Sequence, residues 1–443
     1  MSGTTLLRTF SQKVRVLGVR GLLRRAWWIL SRDGWAGLTA RIRHWRTAGT
    51  QPYRGGAFIP EVAIAGAGSG GVNLVGHPYG ALGMGEHIRK SAQAFAAASV
   101  PFGIFNTFDQ LGAYSDKFEE FPFHHVIGRE VPHGVSIFHM NADEMKLAVA
   151  HLPPTFFEGR YNIGYWAWEL ARFPDAWSYA FQYFDEIWAP SRFIQQAVAE
   201  KAPCPVIHMP LAVDFSSEAP LPRRHFRLPE RKFLFLFYFD FTSYVGRKNP
   251  LGALRAFRAA FPRQGRSDVA LVIKLNGMEQ RPAEYERFLR EVGEPDESIV
   301  LIDRVMSDRE VRNLVRNCDS FVSLHRSEGF GRGLAEGMFY GKPVIGTAYS
   351  GNLDFMNPDN ACLVDAVLAP VGAGEYPYGD GQFWAEPDVE HAAYHMRRLV
   401  TDVALSRQLG ARAAQYMRAH HSFAAVGAKY RARLARLGYM AAP

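Results

Sequence analysis

The chain has 443 residues, a formal net charge of +8 and three cysteines, Cys204, Cys318 and Cys362. That length exceeds one ordinary core and points to two domains, and cysteines so widely spaced form neither a paired framework nor a metal-ligand pattern, as expected of a reducing cytoplasm. No apolar run approaches the roughly 20 residues that span a bilayer, and the first residues lack a secretory h-region, so the sequence reads as neither secreted nor transmembrane.

The charge is unevenly distributed. Residues 1–48 hold ten Arg or Lys against the single acid Asp33, which leaves the rest of the chain nearly neutral. Leu22, Leu23, Trp27, Trp28, Ile29 and Leu30 supply apolar and aromatic partners to these cations. Residues 1–55 are therefore expected to form a basic amphipathic extension attracted to an anionic membrane surface. The other readings, packing on protein or a nucleic-acid arm, rank below it, and no nucleic-acid partner is expected.

After a Gly- and Pro-containing linker comes a literal G-x-G-x-x-G at Gly66, Gly68 and Gly71. A dinucleotide fingerprint must open a helix, whereas Val72-Asn73-Leu74-Val75 reads as a strand, so no nicotinamide or flavin site is expected. From Gly76 to Glu86 the strand ends in a turn, and an amphipathic helix is expected from about His87. The small residues Gly83 and Gly85 would let a ligand approach the backbone closely.

Alternating strands and helices continue, with strands expected at Phe102–Asn106, Val135–Phe138, Tyr161–Tyr165 and Glu186–Ala189, the pattern of a parallel sheet covered on both faces. Ligands bind at the strand ends of such sheets. That makes His139, Asn141, Trp166, Trp168 and Glu169 candidates for acceptor contacts or sugar stacking, with core or interdomain packing the alternative for the aromatics.

A second repeat of strand and helix starts at Lys232. Its first strand, Phe233–Phe239, leads through a loop to Arg247-Lys248-Asn249-Pro250, where two cations between strand and helix can clamp phosphate. Further strands are expected at Val269–Lys274 and Ile299–Asp303. The apolar run Ser320–Leu324 reads as a buried strand, Gly329, Gly331 and Gly333 permit a tight turn, and Leu334–Tyr340 has helical spacing. The first amides of that helix, those of Arg332 to Leu334, lack intrahelical partners and favour an anion. Glu328 and Glu336 flank this position with acceptors suited to hydroxyls, although carboxylates near a helix N-terminus are favoured for electrostatic reasons alone.

Ser323–Met338, read with Gly341-Lys342-Pro343-Val344-Ile345, resembles the donor-site signature of glycosyltransferase family 4, retaining enzymes with the GT-B fold. Over roughly residues 72–443 the resemblance implies an α/β chain of two Rossmann-like domains facing a central cleft. The acceptor-side domain would occupy 56–212, with a C-terminal helix at 415–443 packing back onto it, and the nucleotide-sugar domain 213–414. The resemblance implies that Gly83-Met84-Gly85-Glu86 meet the donor across the cleft and that the base lies against the backbone near Val305. Gly329, Phe330, Gly331, Arg332, Gly333, Leu334 and Glu336 would surround the donor, Glu336 on the ribose and Glu328 on sugar hydroxyls. Arg247 and Lys248 would hold the phosphates, and Ser350 and Asn352 would line the sugar pocket or shape its turn. Two departures stand out: many relatives carry a histidine where Trp168 and Glu169 fall, and Thr242–Gly246 lacks an arginine for which Arg247 would substitute.

The activity implied is retaining transfer of a hexose or deoxyhexose from a nucleotide-diphosphate sugar to a glycan acceptor, lipid-linked in view of the basic arm, in surface polysaccharide assembly on the inner face of the cell membrane. The nucleotide sugar is a co-substrate and no cofactor is expected. Without a D-x-D pair, metal-independent catalysis is expected. A GT-B epimerase or phosphorylase, and an inactive sugar-nucleotide or glycan-binding protein, are the competing classes.

Overall fold

The computed structural model describes residues 57–58, 68–80, 83–109, 121–215, 218–262, 268–293 and 297–441. The basic extension, Gly66 and the last two residues lie outside the described residues.

The first domain is built on seven strands: β1 (Gly68–Gly76), β2 (Phe102–Asn106), β3 (Ile127–Gly128), β4 (His133–His139), β5 (Tyr161–Tyr165), β6 (Glu186–Ala189) and β7 (Val206–His208). All pair in parallel, in the order β3-β2-β1-β4-β5-β6-β7. The second sheet orders β10 (Ile299–Ile302), β9 (Val269–Asn276), β8 (Phe233–Asp240), β11 (Ser320–Ser323), β12 (Val344–Thr347) and β13 (Cys362–Val364), again all parallel. Parallel strands need crossovers that cover both sheet faces, which is why segments such as Phe233-Leu-Phe-Leu-Phe-Tyr-Phe239 are apolar without alternation. The expected pair of Rossmann-like domains is present.

Gly68 and Gly71 lie within β1 rather than at a strand-to-helix turn. A side chain at Gly71 would come within 2.5 Å of the His133 ring, so packing accounts for the small residue. Helix α1 spans Gly83–Ala97 and starts earlier than expected from the sequence. Gly83 and Gly85 therefore form its first turn instead of a loop. A Cβ on Gly85 would lie 2.1 Å from the Gly80 carbonyl oxygen, so the close approach served by this glycine is to its own chain.

Helices α2 (Arg192–Ala199), α3 (Pro250–Ala260) and α4 (Arg332–Phe339) follow strands β6, β8 and β11. The C-terminal region contains three helices, α5 (Val389–Thr401), α6 (Val403–His421) and α7 (Phe423–Arg436). Tyr416 and Met417 sit on α6, which stays with the second domain: Met417 packs in the cluster of Leu334, Ala335 and Met338. The chain crosses back only after Ser422, whose hydroxyl caps α7 by accepting from Ala425 N at 3.2 Å. On α7, Tyr430 stacks on Trp188 at 5.2 Å, and the Arg433 guanidinium pairs with the fully buried Glu186 carboxylate.

A hairpin, β14 (Ala366–Pro370) and β15 (Phe383–Pro387), precedes α5. It follows the second sheet in the chain, yet Val371, Tyr376 and Trp384 pack into the first domain's core with Trp166, Trp168 and Phe173.

Candidate functional site between the two domains

The turn from β11 to α4 holds its shape through small residues and internal hydrogen bonds. Gly331 is the N-cap of α4 at φ +94°, a conformation that favours glycine. Gly351 N donates to Glu328 O at 2.9 Å, and the Ser350 hydroxyl accepts from Glu328 N at 2.8 Å. Asn352 is buried and donates to Thr347 O at 2.9 Å, while its Oδ1 lies 3.1 Å from His325 Nε2. Ser350 and Asn352 thus brace the loop that presents Glu328. A Cβ on Gly351 would lie 2.0 Å from the Gly329 carbonyl oxygen, a backbone atom with no rotamer to move. Gly351→Ala is expected to destabilise the fold by about 3 kcal/mol in urea unfolding, since the backbone itself must shift.

Arg247 and Lys248 converge on this loop. They end a one-turn helix over Val245–Lys248, and Asn249, at φ +49°, caps α3 by accepting from Gly252 N at 3.1 Å. Lys248 Nζ lies 2.5 Å from Glu328 Oε1, and Arg247 Nη1 lies 3.1 Å from Glu328 Oε2 and donates to Ser327 O at 3.0 Å. Burial alone would raise the Glu328 carboxyl, but the charges of Lys248 and Arg247 outweigh it and bring it to about 2, from 4.5. Burial pulls the Lys248 ammonium down, with Glu328 opposing.

Because the Glu328 pKa is lowered on folding, its contribution to stability is complete above pH 4.5 and is lost as the pH falls towards 2. Urea unfolding over this range is expected to show a weaker acid dependence in Glu328→Gln than in the native chain.

A second cluster crosses the cleft. Arg332, at the start of α4, pairs with Glu86 of α1 and, through Nε, with Glu336 Oε1 at 2.8 Å. The Tyr238 hydroxyl donates to Glu336 Oε2 at 2.5 Å. Glu86 also binds Arg89 at 2.8 Å. Burial would raise its carboxyl, but Arg332, Lys90 and Arg89 hold it well below the usual range. Beside this bridge a small cleft is lined by His87, Lys90, Leu211, Phe330 and Arg332 among others.

The domains also meet directly along the Glu328 loop. Ser191 donates its hydroxyl to Gly329 O at 2.5 Å, and the Ser327 hydroxyl donates to Glu169 O. A Cβ on Gly329 would lie 2.8 Å from Trp168 O, so this glycine permits contact between the domains. Gly333 plays the same part within the second domain, where a Cβ would meet the Phe321 ring at 2.6 Å. Phe330 and Leu334 are buried in the second domain's apolar cluster with Phe355.

The structure thus brings together Arg247, Lys248, Glu328, Glu169 and the start of α4, and places Gly83, Gly85 and Glu86 across from Arg332. Other sequence candidates sit elsewhere. His139 is fully buried beside His87 and Tyr165, with neither ring nitrogen hydrogen-bonded, and burial holds its pKa well below the usual value. Trp168 is only 2% exposed; its Nε1 donates to Arg172 O at 3.0 Å and its ring packs on Trp177 and Tyr376. Trp166 is likewise in the core. Asn141 Oδ1 accepts from Ala167 N at 2.9 Å, which ties two strand-end loops together. Val305 projects to solvent, 81% exposed. Tyr238, His325 and Tyr376 carry no local sequence signal of a role, since each lies in an apolar strand or a loop whose partners are remote in the chain.

Residues 222–416 match the family described as Glycosyl transferases group 1. A comparison with curated protein sequences gave no match. Among solved structures, the Anabaena protein HepE, determined with UDP and glucose, superposes with a TM-score of 0.57 at 12% identity over 83% of this chain and 100% of that one. Sucrose-phosphate synthase from Thermosynechococcus elongatus gives 0.58 at 14% over 84% and 99%, and a glycosyltransferase from Rickettsia africae ESF-5 gives 0.58 at 14% over 82% and 97%. With two facing parallel-sheet domains, the protein has the GT-B fold, and its second domain is the part that matches the glycosyl transferases group 1 family.

Proposed function

We propose that the protein is a retaining glycosyltransferase of the family 4 type, which moves a hexose or deoxyhexose from a nucleotide-diphosphate sugar to a glycan acceptor. The observation that carries this reading is the convergence of Arg247 and Lys248 on Glu328 beside the N-terminus of α4. Transfer requires stabilising a departing diphosphate and placing an acceptor hydroxyl, and preorganised positive groups do the first. Arg247, Lys248 and the first amides of α4 would receive the phosphates. Glu328 would hold sugar hydroxyls, and Glu336 the ribose.

In a same-face mechanism, the bond from the anomeric carbon to the phosphate oxygen breaks with its electron pair leaving on the diphosphate. The acceptor oxygen bonds to the same face of that carbon, and its proton passes to the leaving phosphate oxygen. No protein nucleophile is required, and the two side-chain cations offer the charge stabilisation that a divalent metal supplies in other transferases.

The solved complexes of HepE with UDP and with UDP-glucose make uridine diphosphate sugars the first donors to test. A lipid-linked acceptor and a peripheral location on the inner face of the cell membrane rest on the basic residues 1–48; no helix among the described residues is long and apolar enough to cross a membrane. The deciding experiment offers UDP, GDP and dTDP sugars with a lipid-linked oligosaccharide and follows product. Binding without turnover across the panel would favour the inactive binding protein. Liposome sedimentation with and without residues 1–48 tests the membrane contact, which unchanged binding would remove.

A further inference from the structure

The hairpin β14–β15 straps the second domain to the first. Arg172 N donates to Gln382 Oε1 at 3.0 Å, and Gln382 Nε2 donates back to Arg172 O at 3.2 Å. Within this strap the Tyr376 hydroxyl donates to Glu169 Oε2, and the other oxygen, Glu169 Oε1, faces Arg247 Nη2 at 3.9 Å. The same guanidinium reaches Glu328 Oε2 through Nη1 at 3.1 Å. Arg247, only 4% exposed, therefore lies between carboxylates of two domains and is shared unequally.

The inequality has a physical cause. A carboxylate with both oxygens free closes on an arginine as a short, often bidentate pair, and burial strengthens that attraction. At Glu169 one oxygen is already engaged. We propose that Tyr376 is a positioning residue: by occupying Glu169 Oε2 it stops Glu169 from capturing Arg247 and keeps the guanidinium on the Glu328 side, where a donor diphosphate must meet it. Tyr376 acts only through Glu169 and Arg247. Without its hydroxyl, Glu169 competes with the donor for Arg247.

The kinetic arm of the test rests on the glycosyltransferase reading. Donor KM and the Kd for UDP, GDP and dTDP are measured for the native chain, Tyr376→Phe, Glu169→Gln and the double variant. Tyr376→Phe is expected to raise donor KM and nucleotide Kd about fivefold, the value of one hydrogen bond. In the Glu169→Gln background, where the competing charge is gone, the same change should matter less than about twofold. An equal loss in both backgrounds would mean that Tyr376 contributes only packing and would overturn the proposal. If no nucleotide binds, the function reading fails, and thermal unfolding decides the inference without substrate. Tm shifts of Tyr376→Phe and Arg247→Lys should then be non-additive with Glu169 present and additive in Glu169→Gln. Additivity in both backgrounds would refute it.

Discussion

Lys248→Met is expected to lower kcat by about 10²- to 10³-fold, the loss typical of removing one preorganised charge from a developing oxyanion. Methionine keeps the unbranched stem and its packing, so the change isolates the ammonium. The neighbouring Arg247 does not replace it in full, since it already spends one nitrogen on Ser327 O and another on Ser243 O, at 3.0 and 3.2 Å. Steady-state rates with the donor found in the nucleotide-sugar screen provide the measurement, with thermal unfolding as a check on the fold. A kcat within tenfold of the native chain, on the scale above, would remove Lys248 from the reacting centre.

Glu328→Gln is expected to act in two opposite directions. Turnover should fall about a hundredfold, because the amide cannot orient sugar hydroxyls as a carboxylate does. Nucleoside diphosphate should bind more tightly by several-fold, because Glu328 now neutralises the two cations that meet the phosphates. Calorimetry with UDP, GDP and dTDP measures the second effect separately from the first. If Glu328→Gln weakened diphosphate binding, the carboxylate would be organising the cations rather than competing for them, and its assignment to the sugar would lose its support.

Much of the framework could be read in the sequence because parallel strands announce themselves as apolar runs of fixed length. Phe102–Asn106, Tyr161–Tyr165 and Glu186–Ala189 fall on the expected residues, and Val135–Phe138 and Phe233–Phe239 differ only at their ends. The glycine-rich turn and its helix were legible for a different reason: Gly331 at φ +94° leaves few residue types that fit. What could not be read is how aromatic strand ends are used. His139 ends β4 and Trp168 follows β5, where ligands bind in such sheets, yet His87 of α1 and Tyr165 close over the first, and Trp177 with Tyr376, the latter between β14 and β15, over the second. No periodicity in residues 366–387 discloses that this hairpin leaves its own sheet for the other domain. Glycines at 83 and 85 lower helix propensity, which places the expected start of α1 near His87, one turn late, and nothing local discloses that Gly85 passes close to Gly80.

The contacts of Ser191, Ser327 and Arg332 give the Glu328 loop a second office, that of a door seal. Each of these contacts joins the loop or the helix behind it to the first domain, so parting the two domains along this seam breaks them together. A substitution that tightened the seal would hold the two domains together more firmly.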